Sequence, residues 1–139
     1  MARIESSRVL PHPPERVFAF LSDLHNHWQL ANSFISVDGV QDGGGRIVIR
    51  GPFGISREAR TELVEAVPSR LLRGRAQVGG TAGAVEWVIE PDGGGSNVAL
   101  SAEAVRATVP DRLLLTLGGR RWLRRRFERV LETLERRLD

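Results

Sequence analysis

The chain has 139 residues and a formal net charge of +3, with 41% hydrophobic, 27% charged and 6% aromatic residues, the profile of one folded domain, residues 1–139, with its own core. It contains no cysteine and no tyrosine, and all 20 basic residues are arginine, which excludes thiolate nucleophiles, disulfides, thiolate zinc sites, lysine Schiff bases and Walker-type phosphate lysines. No stretch approaches the roughly 20 apolar residues needed to span a bilayer, and the opening "MARIESSRVLPHPP" has no apolar leader core, so a cytoplasmic location is expected.

"ARIESSRVL" alternates as a strand does, with Ile4, Ser6, Arg8 and Leu10 on one side. In "HPPERVFAFLSDLHNHWQLAN" the period changes: Pro14 suits a first helical turn, and Val17, Leu21, Leu24 and Trp28 form one apolar stripe. Ser22 and Asp23 are placed to cap a second helical turn that begins at Leu24. On that turn His25 and His27 diverge by roughly 200°, so they cannot share a metal, and no metal site is predicted. Ser22, Asp23 and His25 are sequence neighbours without a G-x-S-x-G elbow and do not make a catalytic triad. His27 projects with Phe20 and Leu24, and Trp28 continues the stripe, so both are candidates for the wall of an interior pocket.

Six strand-like runs follow, at about 33–40, 45–51, 55–66, 69–78, 83–91 and 96–108, the last closed by Pro110. The glycine clusters in "QDGGG", "GG" at 79–80 and "PDGGGS" lie between such runs and read as hairpin turns, which implies an antiparallel meander. Alternation assigns Arg57, Ala59, Thr61 and Leu63 to the inward side of one strand, with Val85, Trp87 and Ile89 inward on another. Val98, Leu100, Ala102 and Ala104 take the same side of the last. Glu58, Arg60, Glu62, Glu86, Glu90 and Glu103 stand opposite, so one face is wet. Arg57 is the exception among inward positions: it either snorkels to the rim or anchors an anionic or carbonyl group.

"PDRLLLTLGGRRWLRRRFERVLETLERRLD" ends the chain, and its second half is an amphipathic helix with Leu123, Phe127, Val130, Leu131, Leu134 and Leu138 on one face. An unbroken helix through Gly118-Gly119 brings Leu113, Thr116 and Arg120 into line with that face and sends Leu114 and Leu117 to the side. Burying Arg120 against hydrocarbon costs several kcal/mol, so something polar or wet is expected beneath that half. Alternatively the glycine pair kinks the helix, resets its phase and leaves Arg120 in solvent. Leu114, Leu117 and Trp122 are placed to make a lid or homodimer contact. Residues 120–139 carry a net +4 from eight arginines and four acids, the pattern of a solvated helix face; nucleic acid is not the expected partner. The order strand, short helices, meander, long helix is α+β.

"VLPHPPERVFAFLSDLHNHWQL" resembles the opening of the START-like (SRPBCC) superfamily of helix-grip proteins, which includes polyketide cyclase and dehydrase-like domains. "ELVEAVPSRLLRGRAQ" and "GAVEWVIEPDGGGSNVALSAEA" resemble its middle strands, and the leucine-rich terminal helix its end. The resemblance implies a helix-grip fold, a curved antiparallel sheet of about seven strands wrapped around the C-terminal helix with two short helices after the first strand. It implies a cavity for a small hydrophobic molecule, with Trp28, Arg57, Trp87, Leu113, Thr116 and Arg120 at or near it. His27 and the lid candidate Leu117 complete the ligand-binding set. No cofactor and no catalytic residue is assigned: no set of residues matches an aromatase. Two other readings stay open: a cyclase- or dehydratase-like enzyme using His27 or Arg120 in proton transfer, and an interaction module working through Arg121, Arg125 and Arg129.

Overall fold

The alternating segments form seven strands: β1 (Arg3–Leu10), β2 (Ile35–Gln41), β3 (Gly44–Arg50), β4 (Ser56–Val67), β5 (Leu71–Val78), β6 (Thr81–Asp92) and β7 (Gly95–Arg106). They make one antiparallel sheet in the order β1-β7-β6-β5-β4-β3-β2. The chain is thus a meander from β2 to β7, with β1 closing against the last strand. The computed structural model describes residues 3–30, 34–41, 44–51 and 54–139. In the "QDGGG" segment, Asp42 and Gly43 lie outside the described residues, while Gly44 and Gly45 already belong to β3.

Two short helices carry the chain from β1 at one edge to β2 at the other: α1 (Pro14–Ser22) and α2 (Leu24–Gln29). Pro14 opens α1, and Val17 and Leu21, one turn apart, are fully buried. At the start of α2 the Asp23 carbonyl accepts the His27 N–H at 2.9 Å, whereas the Ser22 hydroxyl turns back to the Ala19 carbonyl at 3.3 Å. Ser22 thus bonds back to the last turn of α1.

The C-terminal segment is α3 (Val109–Leu114), a kinked connection over Leu115–Gly119, and α4 (Arg120–Leu138). Thr108 caps α3 by accepting the Asp111 N–H at 3.4 Å, and Pro110 occupies the first turn, where it forfeits no helical hydrogen bond. The helix breaks at the glycine pair: Leu117 has φ −88° and ψ 24°, and Gly118 has φ 118°, a conformation that a side chain resists. Gly119 is required for a different reason, since a Cβ there would sit 2.6 Å from the Leu114 carbonyl oxygen.

α4 then lays Phe127, Val130, Leu131, Leu134 and Leu138 onto the sheet, all buried. Its far end is clamped by Arg8 to Glu135 and His12 to Asp139, at 3.1 and 2.8 Å, and by Arg16 donating to the Leu138 carbonyl. Beneath this end Leu10, Val98, Ile89 and Leu100 fill the sheet's inner face.

Candidate functional site

The inner face of the sheet shrinks row by row. Antiparallel register sets Leu72 beside Trp87 and Trp87 beside Leu100; one row on are Gly74, Val85 and Ala102; the next is Ala76, Gly83 and Ala104. Large side chains at one end meet α4 and close the core. At the other end the side chains beneath the helical segment become small, and a cavity of about 560 Å³ remains. That volume lies within the roughly 300–1,000 Å³ typical of small-molecule sites.

From above, the cavity is lined by Arg112, Leu115, Thr116, Arg120, Leu123 and Phe127. Thr116 and Arg120 stand one turn apart on the lining although the segment is no longer one α-helix, and Arg112 and Leu115 join them where Leu113 was expected. Neither of the two sequence alternatives holds whole: the glycine pair does kink the helix, yet Arg120 borders the cavity as well as solvent. The Thr116 hydroxyl donates to the Arg112 carbonyl at 2.9 Å.

His27 and Trp87 meet in the wall, with ring centroids 5.6 Å apart and planes at 79°. Burial pushes the His27 imidazole below its ordinary pKa, against a smaller opposing effect of its hydrogen bond to the Leu21 carbonyl. The ring is therefore neutral near pH 7. Because a carbonyl only accepts, the 3.3 Å contact from Nδ1 to the Leu21 carbonyl oxygen places the proton on Nδ1. The indole N–H of Trp87 is buried and meets no acceptor among the described residues. An unpaired buried donor costs about 1–3 kcal/mol, which an acceptor on a bound molecule or a water would recover.

Arg57 stands elsewhere. Its guanidinium donates to the Asp111 carboxylate and, at 3.4 Å, to the Val78 carbonyl, and Thr81 donates its hydroxyl to the other Asp111 oxygen. Burial alone would raise the Asp111 carboxyl, but the Thr81 and Arg57 hydrogen bonds and the charge of Arg57 outweigh it and hold it below the usual carboxylate range. The network ties β4 and the β5–β6 turn to the first turn of α3, so it positions the helical roof instead of meeting a guest.

Of the other sequence candidates, Leu113 and Leu117 are 56% and 70% exposed on the outer side of the roof and do not line the cavity. Trp28 belongs to α2, and its side chain lies outside the described residues. Trp122 stacks edge-to-face on Phe34 at 5.7 Å, with Arg126 over its ring. Sequence reasoning missed Asp111, although Thr108 and Asp111 have the spacing of a capping box. Leu115 was also missed, although it stands three residues from Arg112 on the same helical side. Among the described residues no three histidines or acids gather as a metal site, and no helix is long and apolar enough to cross a membrane.

A curved antiparallel sheet, a long C-terminal helix across it and a hollow between them define a helix-grip domain. The chain belongs to the polyketide cyclase / dehydrase and lipid transport family, whose model matches residues 1–139. No curated protein matches it in sequence. Solved structures share the fold: TTHA0849 from Thermus thermophilus is 21% identical with a TM-score of 0.73, covering 99% of this chain and 97% of that one. DR_A0006 from Deinococcus radiodurans is 17% identical with a TM-score of 0.68, covering 97% and 95%. Ms6760 from Mycobacterium smegmatis is 12% identical with a TM-score of 0.73, covering 99% and 90%.

Proposed function

We propose that the protein binds a small hydrophobic or amphipathic molecule, lipid- or polyketide-like, in the cavity between sheet and C-terminal helix, and does so in the cytoplasm. The observation that carries this reading is the row of Ala76, Gly83 and Ala104 beneath the kinked helical roof, which leaves space where the neighbouring rows are packed. Burial of hydrocarbon there drives binding, at about 0.8 kcal/mol for each methylene removed from water. Thr116, Arg112 and Arg120 suit a carboxylate, enol or carbonyl at the mouth, while Trp87 suits an acceptor farther in.

Native mass spectrometry of freshly purified protein, followed by thermal-shift screening of fatty acids and polyketides, tests the proposal. A ligand at a hundred times its Kd adds about 2.7 kcal/mol of stability. An empty protein that no compound stabilises would end the carrier reading.

An enzymatic reading of the cyclase or dehydratase kind has one observation in its favour: His27 is a neutral imidazole in the cavity wall. In that case His27→Ala lowers turnover while leaving affinity intact; in a pure carrier there is no turnover to lose.

A further inference from the structure

The outer edge of the helical roof carries an apolar stripe. Val109, Leu113 and Leu117 recur at every fourth residue and are 67%, 56% and 70% exposed, and Val105, at the end of β7, is 71% exposed. Scattered surface hydrophobics need no explanation, but consecutive ones at helical spacing make an apolar edge. The charge beside it has one sign. Between residues 109 and 125 the sole acid is Asp111, which is buried and paired with Arg57. Arg112, Arg120, Arg121, Arg124 and Arg125 are exposed, and among the described residues none of them takes part in an ion pair.

We propose that this edge is a docking surface for an anionic lipid bilayer. Hydrocarbon on Val109, Leu113 and Leu117 enters the boundary between headgroups and acyl chains, and the flanking arginines meet lipid phosphates and carboxylates. A second copy of this chain fits less well, because apposing two such edges sets arginine against arginine. The same segment lines the cavity through Arg112, Leu115, Thr116 and Arg120, so docking presents the cavity mouth to the membrane. The surface stands on exposure and charge, independently of what the cavity holds.

Co-sedimentation of the full chain with phosphatidylcholine vesicles, with and without a substantial fraction of phosphatidylserine, tests this. The chain sediments with the anionic vesicles, and Leu113→Ser combined with Leu117→Ser lowers partitioning about tenfold with an unchanged melting temperature. Arg121→Gln and Arg125→Gln each lower it about fivefold at low salt. Failure of the wild-type chain to sediment overturns the proposal, as does partitioning that survives the serine pair. Light scattering that shows a lipid-free dimer dissolved by Leu117→Ser also overturns it, by assigning the stripe to self-association. A chain that takes up ligand yet ignores vesicles sinks the docking surface and leaves the carrier reading intact.

Discussion

The two ends of the sheet-and-helix layer are made from the same elements and differ in side-chain volume. At one end Leu10, Val17, Leu21, Val98 and Leu134 have 0% exposure, and the Arg8–Glu135 ion pair and the His12–Asp139 hydrogen bond clamp the helix terminus over them. At the other, alanines and glycines face a broken helix carrying arginines, and the space between stays open. The difference teaches that folding and binding draw on separate residues. A dry hollow forfeits packing, and a domain tolerates one only where a solid region supplies the stability.

Substitution at the solid end gives the largest effect. Leu134→Ala removes a fully buried side chain from between α4 and the sheet, and urea denaturation is expected to show a loss of about 3–4 kcal/mol. Next comes the latch that ties the roof to the sheet. Asp111→Ala removes the acceptor that Arg57 and Thr81 share, leaves Arg57 only the Val78 carbonyl and frees the first turn of α3, for an expected loss of about 2–3 kcal/mol. Arg57→Met combined with Asp111→Leu should recover part of that loss, because neither retains an unpaired polar group. The hollow end responds in the opposite sense: Ala76→Leu or Ala104→Leu fills cavity space, changes stability by less than about 1 kcal/mol and abolishes uptake of ligands that stabilise the wild type. A loss comparable to that of Leu134→Ala would show that the space is packed and would break the comparison.

The sequence makes the solid end far more legible than the hollow one. Val17 with Leu21 and Phe127 through Leu138 advertise helical faces by spacing alone, and the glycine turns separate the strands. The family resemblance adds the order in which they assemble. A cavity has no such periodic signature. It appears only once register sets Ala76 beside Gly83 and Gly83 beside Ala104, residues that lie up to 28 positions apart and read singly as unremarkable. Likewise, parity put Arg57 on the inward side of β4, but its partner Asp111 is 54 residues away and is reached only through the tertiary fold. The roof was legible in part: an unbroken helix already puts Thr116 and Arg120 on one side, but Arg112 and Leu115 line the cavity where Leu113 was expected.

His27 sharpens the comparison least in magnitude but most in chemistry, because it is a titratable group at the boundary between the two ends. Its folded-state pKa lies below the ordinary 6.5, and burial is the cause. The unfolded chain therefore takes up a proton as pH falls through that value while the folded chain resists, so stability is fully present above 6.5 and declines below it. Asp111 does not blur this window: its folded pKa lies below the ordinary 3.8, so the stability it contributes is lost only at more acidic pH. His27→Gln, which cannot titrate, is expected to flatten the stability profile between about pH 7 and 5 and leave the acid limb unchanged. Ligand affinity should decline over the same window in the wild type, since protonation sets a charge in a wall that an apolar guest must touch. Affinity that stays level across it would place His27 outside the surface a guest contacts, and the hollow would then begin farther from Trp87 than its lining indicates.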